Sequence, residues 1–164
     1  MPEIRCLTAG AEIVLLLVPG RPVSHIYIYE WIPPPMTSFT ISTISRTTAP
    51  LVYLNVSIPL STGNDTGILA WLTGLSRFHG SLEALAFRVG DSNFISGGFK
   101  DHFKSALSRF AAIRTFTVTG PDLVRPNGQI LKPWGRELEQ FSWWLNVCPS
   151  LRHVSFFGNE LSAT

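Results

Sequence analysis

One spacing of apolar positions, apolar-x-x-apolar-x-apolar, recurs along the chain. It fits Val23, Ile26 and Ile28 in VSHIYI, Leu51, Leu54 and Val56 in LVYLNV, and Leu82, Leu85 and Phe87 in LEALAF. Ile113, Phe116 and Val118 in IRTFTV fit it again, as do Leu151, Val154 and Phe156 in LRHVSF, while Ile4, Leu7 and Ala9 form a weaker sixth unit. The units begin at 4, 23, 51, 82, 113 and 151, in steps of 19, 28, 31, 31 and 38 residues. Residues two apart on a strand share a face, so the fourth and sixth positions of each unit point the same way. The first apolar residue enters the core as the chain turns into the strand, and the third, fifth and seventh positions face the opposite side. Each buried Leu, Val or Phe contributes about 1.5–3 kcal/mol, yet one such unit cannot bury its apolar side alone. Stacked neighbours can, which is why the pattern recurs.

Between these strands the period changes to that of helices. Ile68, Leu72, Leu75 and Phe78 form one stripe, with Asp65 or Thr66 as N-cap. Phe99, Phe103, Leu107 and Phe110 form a second after Gly97-Gly98; Leu138, Phe141, Leu145 and Cys148 form a third that Pro149 ends. Pro33-Pro34-Pro35 reads as a stiff connector before MTSFTISTISRTT, a weaker, β-branched helix. Strand and helix alternate, which predicts parallel strands with right-handed crossovers. The expected fold is α/β, a leucine-rich-repeat-like solenoid. About six short parallel strands line its concave side, with helices on the convex side; in LRHVSFFGNEL, Asn159 and Leu161 complete the repeat consensus. Residues 1–164 are expected to form a single domain, a fragment of a longer array. An insertion at 120–135 interrupts the rhythm, and Asn127-Gly128 within it signals a hairpin or ordered loop.

Composition narrows the reading. Charged residues are 15% of the 164, against about 25% in an ordinary domain, and mean hydropathy is +0.21. Either much of the surface meets a partner or the ends of the array expose core. A net charge of +2, from thirteen scattered basic residues, argues for neither nucleic acid nor membrane as a partner. The run from Ile13 to Val18 is too short to span a bilayer. Glu3 and Glu12 flank it without a small-residue cleavage site, so it does not read as a signal peptide. Without such a signal, the glycosylation-like tripeptides at Asn55 and Asn64 carry no weight. Cys6 and Cys148 are far apart and read as small core residues of a cytoplasmic or nuclear protein, not as a disulfide framework or zinc site.

No phosphate loop, nucleophile elbow, zinc-protease helix or dinucleotide fingerprint is present in the sequence, and no enzyme, metal or cofactor is expected. His102 follows Asp101 directly, and adjacent helical residues do not face each other; Glu137 and Glu139 diverge likewise. His79 is expected on a helix. The expected working surface is therefore the concave strand face, bound by a protein target that the sequence does not identify. Its partner-binding residues would be His25, Tyr27 and Tyr29 from one unit, Tyr53 and Asn55 from the next, then Arg88, Thr117, His153 and Phe157. Ser57, Ala84, Ala86, Thr115, Thr119 and Ser155 fill the other outward positions. Tyr and His are amphipathic residues suited to an interface. Trp134, Trp143 and Trp144 form a second aromatic concentration. Trp143 and Trp144 cannot both face the core from one helix, so one packs under the insertion or stays exposed.

The segments AEIVLLLVPGRPVSHIYI, SLEALAFRV and CPSLRHVSFFG resemble the leucine-rich-repeat portion of fungal F-box-type proteins, across nearly the whole chain. The resemblance implies a substrate adaptor of a ubiquitin ligase, in which repeats bind the target while an N-terminal F-box docks on the ligase. No F-box segment precedes Ile4, so docking on the ligase scaffold is not expected of any residue here. The expected function is a non-catalytic protein–protein interaction module. The alternatives are a small-ligand receptor, with a pocket between the concave face and the insertion loop, and a truncated remnant without independent function. Uncapped terminal strands at Ile4 or Leu151 would favour the remnant.

Overall fold

The computed structural model describes residues 4–58, 66–90, 99–120 and 136–162. The predicted alternation is there. In chain order the elements are β1 (Cys6–Ala9), α1 (Ala11–Leu17), β2 (His25–Trp31), α2 (Pro34–Ile44), β3 (Tyr53–Ile58) and α3 (Thr66–Gly74). After β4 (Ala84–Val89) come α4 (Phe99–Leu107), β5 (Thr115–Thr119), α5 (Phe141–Val147), β6 (His153–Phe156) and β7 (Asn159–Ser162). Short 3-10 turns at Leu75–Phe78 and Arg136–Glu139 follow α3 and precede α5. The protein is α/β, with one mostly parallel sheet that does not close into a barrel. Strand order equals sequence order: β1 to β6 pair in parallel, and β7 pairs antiparallel to β6.

The apolar triplets set the register. Leu7, Ile26, Leu54, Leu85, Phe116 and Val154 stand side by side across the six parallel strands, and so do Ala9, Ile28, Val56, Phe87, Val118 and Phe156. Both rows are buried, and the first apolar residues Val23, Leu51, Leu82, Ile113 and Leu151 are fully buried beneath them. Just before each strand, one carbonyl accepts two amides of the next unit. Ser24 O takes Val52 N and Tyr53 N at 2.8 and 3.1 Å; Val52 O takes Glu83 N and Ala84 N at 2.8 and 3.1 Å. Arg5 O, Glu83 O and Arg114 O repeat the arrangement with the units that follow them. This satisfies the backbone where the chain turns into the sheet.

The described helices cover one face only. The stripe Ile68, Leu72, Leu75 and Phe78 is buried as predicted, with Trp71 beside it, and Phe103, Leu107 and Phe110 are buried from the α4 unit. In α2, Pro34 and Pro35 occupy the first turn, where no amide is needed. The buried Thr40 hydroxyl donates to Met36 O at 2.8 Å, so a β-branched segment becomes a helix without an orphaned polar group. Consecutive helices pack side by side. Gly74 allows α3 to approach α2, since a Cβ there would lie 2.6 Å from Ile41 Cδ1. Gly74→Ala is expected to destabilise by about 1 kcal/mol: overpacking costs about 1–3 kcal/mol and alanine's helix propensity returns about 1. Ile41→Val, which removes the Cδ1 methyl, should recover most of that loss in a double-mutant cycle by urea titration. Additive losses would refute the contact.

Several expectations need correcting. Helix α1 was not marked by any apolar stripe; it forms beside β2, whose Glu30 Oε2 accepts Ala11 N–H at 3.0 Å in place of the absent side chain of Gly10. The stripe Leu138, Phe141, Leu145, Cys148 is not continuous. Gln140 is extended (φ −107°, ψ 121°), which resets the helical phase. Trp144 and Val147 are thereby buried, and Phe141 and Leu145 only half-buried. Asn159 and Leu161 do not complete a repeat: Phe157 (φ 49°) and Gly158 (φ 81°) form a two-residue turn, and the chain doubles back as β7. Cys6 is exposed, not a core residue; Cys148 is buried, its thiol 3.2 Å from Phe110 O. His79 caps a 3-10 turn and is exposed. The insertion beyond Gly120, Asn127-Gly128, Trp134, Gly97-Gly98 and Asp65 lie outside the described residues.

Candidate functional site: the open face of the sheet

The face opposite the helices is built from the outward positions in three rows. Cys6, His25, Tyr53, Ala84, Thr115 and His153 form the first, and Thr8, Tyr27, Asn55, Ala86, Thr117 and Ser155 the second. The third is shorter and holds Trp31, Ser57, Arg88 and Thr119. Of the expected binding residues, His25, Tyr27, Tyr53, Asn55, Arg88, Thr117 and His153 share this one surface.

Tyr29 and Phe157 do not fall where strict alternation puts them. Between Ile28 and Trp31 the register of β2 shifts, so Trp31, not Tyr29, stands opposite Ser57. Ser57 is buried there, its hydroxyl 3.3 Å from Ile28 O and 3.4 Å from Tyr29 O, which ties the irregular segment to β3. Tyr29 is left 51% exposed beside the row. Phe157 sits in the β6–β7 turn, half-buried, with its ring against Gly120: a Cβ on Gly120 would meet Phe157 Cε1 at 2.8 Å. Trp31, 45% exposed, was missed. The signal was Ile32, whose complete burial places the residue before it on the outer side.

The chemistry of the face changes along the sheet. Over β2 and β3, His25 and Tyr53 stack with centroids 6.2 Å apart and planes 18° from parallel. His25 Nδ1 lies 2.9 Å from Ser24 Oγ, and the Asn55 amide donates to Tyr53 OH at 3.3 Å. Over β4 and β5 the outward residues Ala84, Ala86, Thr115 and Thr117 are short, leaving a trough. At the far side Glu160 of β7 clasps β6, with Oε2 2.7 Å from His153 Nε2 and Oε1 accepting the Ser155 hydroxyl at 2.6 Å. The carboxylate thus stands between imidazole and hydroxyl, so His153 is not placed as a base for Ser155. Near the carboxyl ends of the strands, the Arg88 guanidinium lies over the Trp31 ring, 5.5 Å from its centroid. Trp31, Arg88, Val89, Gly90, Thr119 and Gly120 line an open cleft of about 380 Å³ there.

The chain matches no protein family, curated protein or solved structure with which it was compared. Among the described residues no three of His, Cys, Asp and Glu converge as metal ligands, and no helix is long and apolar enough to cross a membrane. On the helix side, α2 and α3 border a groove of about 660 Å³ lined by Thr37, Ile41, Ser45, Leu69, Thr73 and Arg77 among others. Ile13, Leu16, Met36 and Phe39 are exposed on α1 and α2. Part of the chain's high hydropathy is therefore surface.

Proposed function

We propose that this protein is a non-catalytic protein-interaction module, a single leucine-rich-repeat-like solenoid domain over residues 1–164 whose concave side is the open sheet face. It works as the target-binding repeats of fungal F-box-type ubiquitin-ligase adaptors do, in the cytoplasm or nucleus. The observation that carries this reading is the in-register collection of Tyr27, Tyr53, His25, Asn55 and Arg88 on a face that no described helix covers. Aromatic residues and arginine dominate binding energy at protein interfaces. None of these five side chains is among the buried residues, so none is needed for the core.

Affinity capture from lysate, comparing the parent with Tyr27→Ala/Tyr53→Ala, tests the reading. The double substitution is expected to lose the proteins that the parent recovers, by about tenfold or more, with an unchanged urea unfolding midpoint. Recovery of the same proteins by both chains would remove the open face as the binding surface. A second reading, a small-ligand receptor, has one observation in its favour. The cleft at Trp31 and Arg88 borders Gly120, where the insertion begins, and its size is at the small end of ligand sites.

A further inference from the structure

Resting on the open-face reading, we infer that the target is an extended acidic peptide segment, laid along the trough over β4 and β5 with a carboxylate on Arg88. Among the described residues, the guanidinium is the face's permanent cation without a carboxylate partner. It lies over the Trp31 ring, and no carboxylate of a described residue pairs with it. A cation–π contact uses none of the guanidinium's five N–H donors, and their fork matches a carboxylate's two oxygens.

Among the described residues, the two carboxylates beside this face already have partners. Glu160 is held by His153 and Ser155, and Glu30 by the Ala11 amide at the start of α1. No described residue supplies the charge complement, and the partner of this proposal brings it. The trough has the shape for it: Ala84, Ala86, Thr115 and Thr117 give a low floor, the His25–Tyr53 stack stands on one side and the His153–Glu160 clasp on the other. From β3 to β6 is three strand spacings, about 14 Å, room for one extended chain running with the strands. A peptide so placed rests apolar groups on the alanines and threonine methyls while its acidic end reaches Arg88. A lone guanidinium suits a carboxylate better than a multiply charged phosphate, which collects several basic groups.

A random peptide library displayed on phage, panned against the full chain, tests this. Selected peptides are synthesised and their affinities measured by fluorescence anisotropy for the parent, Arg88→Gln, Arg88→Lys and Tyr27→Ala/Tyr53→Ala. The selected sequences are expected to share an Asp, a Glu or a free terminal carboxylate. Arg88→Gln should weaken them by about tenfold or more, because a charge-assisted hydrogen bond is lost. Arg88→Lys should recover part of the loss. Changing the shared acidic residue to its amide should weaken binding equally, with no further loss in combination with Arg88→Gln. Selected peptides without acidic preference, equal binding by Arg88→Gln, tighter binding of phosphorylated versions, or no selected peptide would each overturn the inference. Peptides that ignore Arg88 but fail with Tyr27→Ala/Tyr53→Ala would leave the open-face reading standing; peptides indifferent to every substitution would remove both.

Discussion

Trp144→Ala is expected to lower the free energy of unfolding by about 3–5 kcal/mol, a large share of the roughly 5–15 kcal/mol that holds a domain of this size. Trp144 is fully buried in α5, where its ring meets Phe103 at 5.8 Å, Phe116 at 5.7 Å and Phe156 at 5.5 Å. It therefore joins α4, β5 and β6, and truncation leaves a void that none of these rigid elements can fill. Its indole N–H also donates to the buried Leu138 O at 2.9 Å, fixing the 3-10 turn that leads into α5. Trp144→Phe keeps most ring contacts but strands that carbonyl, so it should cost about 1–3 kcal/mol. Urea titrations of the three proteins check both values. Alanine costing under about 1 kcal/mol would mean that the site can collapse.

Trp71→Ala is expected to cost a similar amount, about 3–5 kcal/mol, but Trp71→Phe should behave differently from Trp144→Phe. Trp71 is fully buried from α3, and its Nε1 has no hydrogen-bond partner. The folded state thus already carries the desolvation of an unpaired donor, about 1–3 kcal/mol. Phenylalanine removes that donor while leaving a smaller gap, and the two effects offset, giving a change within about 1 kcal/mol of zero. The same titrations would reveal a hidden partner for the indole if Trp71→Phe proved as costly as Trp144→Phe.

What could be read beforehand follows from how local each cause is. The triplets were legible because a two-residue period and a three-residue lead-in are backbone geometry, repeated until neighbours had to stack in register. For the same reason His25, Tyr27, Tyr53, Asn55, Arg88 and Thr117 came out on one surface: parity along a strand decides sides. Parity fails where the backbone departs from it. One irregularity after Ile28 moved Trp31 into the place given to Tyr29, and two positive φ angles at Phe157 and Gly158 turned a supposed seventh position into a reversal. The extended Gln140 broke a stripe that looked continuous on a helical wheel. The clasp of Glu160 on His153 and Ser155 depends on that reversal, so no spacing announced it. Cys6 was misjudged because residue type was allowed to outweigh its outward parity.

The turn at Phe157-Gly158 also decides how copies of this chain can add to one another. A parallel sheet with similar rims at both ends could join end to end without limit and grow into fibres. Here the outer hydrogen-bonding groups of β6 are occupied by a short antiparallel strand carrying Asn159 and Glu160, and an incoming β1 finds no parallel template to extend. Among the described strands the two rims are β1 and β7, and they differ in kind: the first belongs to the parallel ladder and the second runs against it. Head-to-tail addition of copies would therefore not continue the parallel ladder.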